Sequence, residues 1–169
     1  MRAAPDRVTV RRAAPGDLPA VAAIYTAGIS ERIATFETEP RAAGDLLGWL
    51  EDGLPFVVAD GASGVIGWAK IHAYSDRCAY RGIGEHAVYV APDARGRGIG
   101  RTLLHAVVEE AQTVGLHKLT SRIFTENAAS RAAHLASGFE EVGIQRRHGR
   151  LDGRWHDVVL VERLLSAAS

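Results

Sequence analysis

The sequence predicts a mixed α/β domain of the α+β kind, with about seven strands in a mostly antiparallel central sheet and about four flanking helices. Three observations carry that expectation. Seven short apolar runs have strand character, and four other stretches have helical spacing. Their order, β-α-α-β-β-β-α-β-α-β-β, is not a regular alternation of strand and helix. Consecutive strands are joined by small, flexible connections, as antiparallel hairpins are.

The elements follow in turn. "VTVRRA" (Val8 to Ala13) alternates like a strand, and Pro15, Gly16 and Asp17 introduce the helical "LPAVAAIYTAGI". A second helix is expected over Arg41 to Glu51, stopping near Gly53. "PFVVAD" and "GVIGWAKIHAY" flank "GASG" as the two arms of a hairpin. "EHAVYVA" (Glu85 to Ala91) is a strand, "GIGRTLLHAVVEEAQTVG" a helix ending at Gly115, and "KLTSRIF" a strand. "NAASRAAHLASG" is a helix with Asn127 as N-cap and Gly138 at its end. "FEEVGIQRRHG" and "GRWHDVVLVERLL" close the chain as antiparallel neighbours around "RLDG".

Bulk properties bound the function. The 169 residues form most simply one domain, 1–169, long enough to bury a core. Twenty basic residues balance twenty acidic ones, so no global field draws the chain to nucleic acid or to a membrane surface. The lone Cys78 excludes an intramolecular disulfide and fits a reducing compartment. The start "MRAAPDRVTVRR" lacks the apolar run of a signal peptide. No segment approaches the roughly 20 apolar residues of a membrane span. A cytoplasmic protein is expected. The seven histidines show no paired metal-ligand spacing, so no metal is expected.

Arg95 to Arg101 ("RGRGIGR") sets three glycines and three arginines ahead of an apolar helical pattern. Glycines let backbone approach a ligand, and a helix start presents free N–H groups, so an anion is expected here. A dinucleotide fingerprint would follow the first strand of a βαβ unit, and a triphosphate loop needs "GxxxxGK[ST]"; neither pattern fits. The bland alternative is a solvated turn with incidental arginines.

The loop lies between "EHAVYV" and a helix, and the next strand leads into "TENAAS". Together these resemble the GNAT superfamily of acyl-CoA-dependent N-acetyltransferases, whose pyrophosphate loop reads [RQ]-x-x-G-x-[GA]; Arg95, Gly98 and Gly100 stand in its defining places. The resemblance covers nearly the whole chain. "ATFETEP", "GWAKI", "SDRCAYR", "EHAVYV", "ENAAS" and "GRW" make it most similar to the phosphinothricin, methionine-sulfoximine and arsinothricin N-acetyltransferases. That resemblance implies acetyl-CoA as cosubstrate. Its pyrophosphate would be held by Gly96, Arg97, Gly98, Ile99, Gly100 and the charges of Arg95 and Arg101. Its pantetheine arm would run beside Val88, Tyr89 and Val90, with Asn127 and Ser130 as further contacts. Asn127 also has a purely structural explanation as a helix cap.

Attack on a thioester needs a neutral amine, so a base must take the ammonium proton. Resemblance to "EHSVYV"-type segments puts Glu85 in that role; the alternative is an ordinary strand-end glutamate. A backbone N–H near Val88 would polarise the thioester carbonyl. His134 stands where many GNAT enzymes carry a tyrosine that protonates the leaving thiolate, and it also has a plausible helix-packing position. His86 should point to the opposite strand face from Glu85, in a core or supporting role.

On the acceptor side, Phe36, Trp68, Lys70, Arg77, Tyr80 and Arg81 are the candidate substrate residues: cations for a carboxylate and an oxyanion, aromatics for walls. Trp68 has a core alternative, and Arg146 of "RRHGR" reads as solvated. The chain departs from the commonest phosphinothricin pattern at "YRGIGEH", at "SRIFTENAAS" in place of "AGI…NAAS", and at "RHGRLDGRW". These departures lean toward an arsinothricin-type acceptor, and a small acidic amino-acid analogue is expected. Alternatives are another small amine, a protein N-terminus, or a CoA-binding sensor. Related enzymes are homodimers with the acceptor site near the subunit boundary, so a homodimer is expected.

Overall fold

In the computed structural model, which describes residues 7–166, the chain runs through β1 (Thr9–Arg12), α1 (Leu18–Glu31), β2 (Phe56–Gly61), β3 (Gly64–Ala73) and β4 (Ile83–Val90). It continues through α2 (Ile99–Thr113), β5 (Lys118–Phe124), α3 (Ala128–Ala136), β6 (Glu140–Leu151) and β7 (Arg154–Leu164). Segment 1–6, part of the start read above for a signal peptide, lies outside the described residues. The strands form one seven-stranded sheet in the order β1-β2-β3-β4-β5-β7-β6. Every neighbouring pair is antiparallel except β4 and β5.

One expected helix takes a different form. Arg41 to Glu51 does not make an α-helix; Ala43–Leu50 winds as tight 3-10 turns instead. Gly44 and Gly48 weaken an α-helix here, and the Asp45 carboxylate takes the Ala42 N–H at 2.9 Å, which favours a tight turn. Leu46 of this segment is nonetheless buried against α1 and β2.

Strand alternation sorts the sheet into two faces. Val57, Ala59, Ala69 and Ile71 pack against Leu103, Leu104 and Val107 of α2. Phe56, Val58 and Trp68 pack against Leu18, Val21 and Ile24 of α1. Trp68 is completely buried, stacked on Tyr89 with ring centroids 4.9 Å apart and flanked by Tyr25 and Trp49. Lys70, two residues along the same face, is also fully buried. Its ammonium donates to Asp52 at 2.8 Å and to the carbonyls of Ile71 and Leu54 at 2.8 and 3.3 Å. Burial pulls its pKa down, and Asp52 opposes that shift.

α3 touches β4 through two histidines. Nε2 of His86 and Nε2 of His134 are 2.9 Å apart, and the rings stack with centroids at 5.1 Å, beside Phe139. Nδ1 of His134 is 2.7 Å from the Ser130 carbonyl, which only accepts, so Nδ1 carries the proton. Neutral His134 therefore accepts at Nε2 from the His86 N–H. Burial drives the His86 pKa down to about 3, with His134 adding to the shift and the Thr120 backbone opposing it. Burial lowers the His134 pKa as well, with the Ser130 backbone opposing it.

Both rings are thus neutral when folded, whereas an unfolded histidine takes up a proton near pH 6.5. Stability from the pair is complete above that pH and falls as pH drops from 6.5 toward 3. Urea unfolding should show this difference: between about pH 7.5 and 5.5, wild type should lose about 1.4 kcal/mol more than His86→Phe. Equal acid sensitivity in the two proteins would contradict a neutral pair.

Candidate active site

The parallel ladder between β4 and β5 pairs only Ile83, Gly84 and Glu85 with Lys118, Leu119 and Thr120. Beyond it the strands part. The Ser121 hydroxyl donates to the His86 carbonyl at 2.9 Å, so the backbone groups of His86 face the β5 side. Strand alternation puts the N–H and C=O of Val88 and Val90 on that same edge, past the end of the ladder. The gap opens into a cleft of about 990 Å³, lined on one side by Val88, Tyr89 and Val90 and on the other by Ile123 and Phe124.

At the far end lies the glycine-arginine loop. Gly96 and Gly98 have φ of 75° and 78°, a conformation that favours glycine, and a Cβ on either would point into open space. Gly98 caps α2, so the first amides of that helix emerge at the cleft, where Gly96, Gly98, Ile99, Gly100 and Arg101 all line the wall. Such a glycine-rich helix start can surround an anion with backbone N–H groups. Arg95 also lines the cleft, but its guanidinium forks onto both oxygens of Glu31 at 2.6 Å and donates to the Val90 carbonyl at 3.2 Å. It therefore braces the loop against the end of α1 while keeping one edge of the fork committed. Arg97 belongs to the loop and is not among the lining residues.

On the α3 wall, the Asn127 side chain accepts from the Ser130 N–H at 3.2 Å, which is the expected cap, and its amide donates to the Ile33 carbonyl at 3.4 Å. Asn127, Ser130 and His134 all line the cleft. The ring nitrogens of His134 face His86 and the Ser130 carbonyl.

Glu85 stands where the strands part. Its carboxylate lies 3.6 Å from the Arg122 guanidinium, and His72 is its register partner on β3. Arg122 is anchored in turn by donating to the Gln145 side chain at 3.0 Å. Phe36 walls this end, packed on Phe124 at 4.7 Å; a Cβ on Gly149 would come within 2.6 Å of its ring, so β6 must carry glycine there. Close by, Gln145 pairs with Val158 and Gly149 with His156, so residues 146–148 bulge from the ladder and bring His148 to the cleft.

The remaining acceptor candidates are distributed differently from the expectation. Trp68 forms the buried floor of the cleft. Lys70 does not line it: the buried ammonium is consumed by Asp52 and two carbonyls, which corrects its assignment as a substrate cation. Arg77, Tyr80 and Arg81 sit on and around the exposed 3-10 turn Cys78–Tyr80, also outside the lining, with Tyr80 against Tyr74 and Arg81 against the Cys78 sulfur. Conversely, Thr35, Glu37, Trp49, His72 and Arg122 line the acceptor end unannounced. Thr35 and Glu37 fall within the quoted "ATFETEP". Arg122 had a signal too: in "SRIF" it stands where the "AGI" form has glycine. His72 could be found only from strand register.

No group of three or more potential metal ligands occurs among the described residues, and none of their helices is long and apolar enough to cross a membrane.

Comparison with known proteins agrees with this geometry. The acetyltransferase (GNAT) family matches residues 22–139. A phosphinothricin N-acetyltransferase of Alcaligenes faecalis is 38% identical over 166 residues, which cover 94% of this chain and 83% of that one. An L-methionine sulfoximine/L-methionine sulfone acetyltransferase of Pseudomonas paraeruginosa is 35% identical over 159 residues, 91% of this chain and 92% of the relative. The crystal structure of a GNAT superfamily phosphinothricin acetyltransferase from Sinorhizobium meliloti, in complex with AcCoA, superposes with a TM-score of 0.88 at 34% identity, over 94% of this chain and 88% of that one. With a sheet that parts beside a glycine-rich helix start, the chain belongs to the GNAT family of acetyltransferases, enzymes whose acetyl donor is acetyl-CoA.

Proposed function

We propose that the protein acetylates the α-amino group of a small acidic amino-acid analogue, of the phosphinothricin, arsinothricin or methionine sulfoximine kind, with Glu85 as the general base. The observation that carries this is the position of Glu85: a carboxylate at the mouth of the parted strands, on the wall of the cleft whose other end is the pyrophosphate cradle. The activities of the two acetyltransferase relatives support the acceptor class, since phosphinothricin and methionine sulfoximine both join an α-amino acid to a tetrahedral polar head.

The residues divide the work as follows. Amides of the 96–101 loop, with Arg101, hold the pyrophosphate, and the Val88 backbone with the Val90 N–H pairs with the pantetheine arm. Bound acetyl-CoA supplies an activated acyl carbon. Glu85 accepts a proton from the substrate ammonium, which frees the nitrogen lone pair. A nitrogen–carbon bond then forms to the acyl group, the carbon–sulfur bond breaks, and the second amine proton ends on the departing CoA sulfur. The Val88 N–H lies on the edge where a developing oxyanion would need a donor. CoA thiolate leaves readily, so His134, both of whose ring nitrogens are engaged by its neighbours, serves to hold α3 on β4 rather than as an obligatory acid.

Acetyl-CoA chemistry and the exposed Cys78 fit a reducing cytoplasm. We also propose a homodimer: Arg77, Tyr80 and Arg81 lie outside the cleft of their own protomer, where a partner's acceptor site could use them. Sedimentation should give twice the mass of the 169-residue chain, and a stable monomer at working concentration would refute it.

Two kinetic measurements test the central proposal. Glu85→Gln should lower kcat by at least about tenfold near neutral pH and recover part of the loss at alkaline pH, where the amine deprotonates unaided. Turnover unchanged across pH would remove Glu85 from the mechanism. Steady-state kcat/KM on phosphinothricin, arsinothricin, methionine sulfoximine and methionine sulfone should rank at least one of them far above a simple amine or a peptide N-terminus. Inactivity on all four, with acetylation of a peptide, would move the acceptor to proteins.

A further inference from the structure

We infer that Arg122 is the α-carboxylate receptor of the acceptor site, and that the Glu85–Arg122 ion pair recognises α-amino acids by opening around them. This rests on the base role proposed for Glu85 and adds a substrate-selecting residue to it.

The placement is a consequence of register. Glu85 pairs with Thr120 across the parallel ladder, so the two side chains share a face, and Arg122, two residues further along β5, shares it too. The strands have begun to part at that point, which leaves room between their side chains. Nε of Arg122 is held by Gln145 at 3.0 Å, while Nη1 is turned to Glu85 at 3.6 Å. That separation is longer than a tight charge-assisted hydrogen bond. The side chains remain 32% and 42% exposed, so the pair is hydrated and opening it costs little.

An α-amino acid carries a cation and an anion on one carbon. Slid between the two side chains, its ammonium faces Glu85 and its carboxylate faces Arg122. Each protein charge exchanges its partner for another of the same sign, so no charge is left uncompensated. The exchange also fixes the nitrogen beside its base. A simple amine makes only half of it, leaving its own charge near an unpaired guanidinium.

Other cations on the cleft are already engaged or distant from this end. Among the described lining residues, Arg95 is forked by Glu31 and Arg101 lies at the start of α2; Lys70, outside the lining, is held by Asp52. The arginine is also a feature of this chain, standing where the "AGI" form has glycine.

The test compares kcat/KM on whichever of the four amino-acid analogues wild type acetylates with kcat/KM on the α-carboxamide of the same compound. Wild type should favour the free acid by about 10- to 100-fold, the range expected for a charge-assisted hydrogen bond to a carboxylate. Arg122→Gln should lose that preference, chiefly through a raised KM for the acid, with the KM for acetyl-CoA nearly unchanged. Arg122→Lys should keep part of the preference, as a cation without the fork. Three results would overturn the assignment: wild type treating acid and carboxamide alike, Arg122→Gln keeping the wild-type ratio, or Arg122→Gln losing kcat on acid and carboxamide equally. Each of these leaves the acetyltransferase reading standing, because Glu85→Gln reads it separately. Inactivity of wild type on every amino-acid analogue would overturn both.

Discussion

The parting of β4 and β5 after three paired residues is the constraint on which the site depends. Parallel strands in a core normally keep their ladder, because a buried unpaired N–H or C=O is costly. Here the ladder stops, and the edge of Val88 and Val90 faces the gap, with only the Val90 carbonyl taken, by Arg95. The sheet tolerates this because each strand is fully paired on its other side, β4 with β3 and β5 with β7, and because α2 packs across the sheet face beneath. The cost of the unmade hydrogen bonds is offset when an extended amide-bearing arm occupies the gap.

Charge is distributed around that gap with little waste. Lys70 is held by Asp52 and two carbonyls, and Arg95 by Glu31 and the Val90 carbonyl, so both are structural before they are anything else. The anion cradle relies instead on amides at the start of α2, which need no counter-ion of their own. The histidine pair follows a similar economy: two neutral rings share one hydrogen bond in the interior, where a charged ring would be expensive. Glu85 and Arg122 differ from these pairs in separation: they face the cleft as a hydrated ion pair at 3.6 Å, looser than the 2.6 Å fork of Arg95 on Glu31.

What was legible in the residues follows the range of the interactions that specify them. Strand and helix periodicities and the Asn127 cap depend on neighbours within a few residues, so nearly every element emerged close to its expected bounds. The exception, 41–51, failed for a local reason: two glycines inside a helical spacing and a side chain that caps a tight turn. The loop Gly96–Gly100 was readable because backbone binding of an anion leaves its mark as glycine itself.

The acceptor side was legible only in part, and the reason is register. Lys70 looked like a substrate cation because its charge is visible in the sequence, while the face it points to and the Asp52 beneath it are not. Arg122 was passed over because only the pairing of Glu85 with Thr120 brings it beside Glu85. The amino-acid sequence alone therefore determined the fold class, the cofactor loop and the strand that carries Glu85, all encoded by residues near one another in the chain. Tertiary structure decided which charges reach the cleft, since that depends on which strands pair and where their pairing stops.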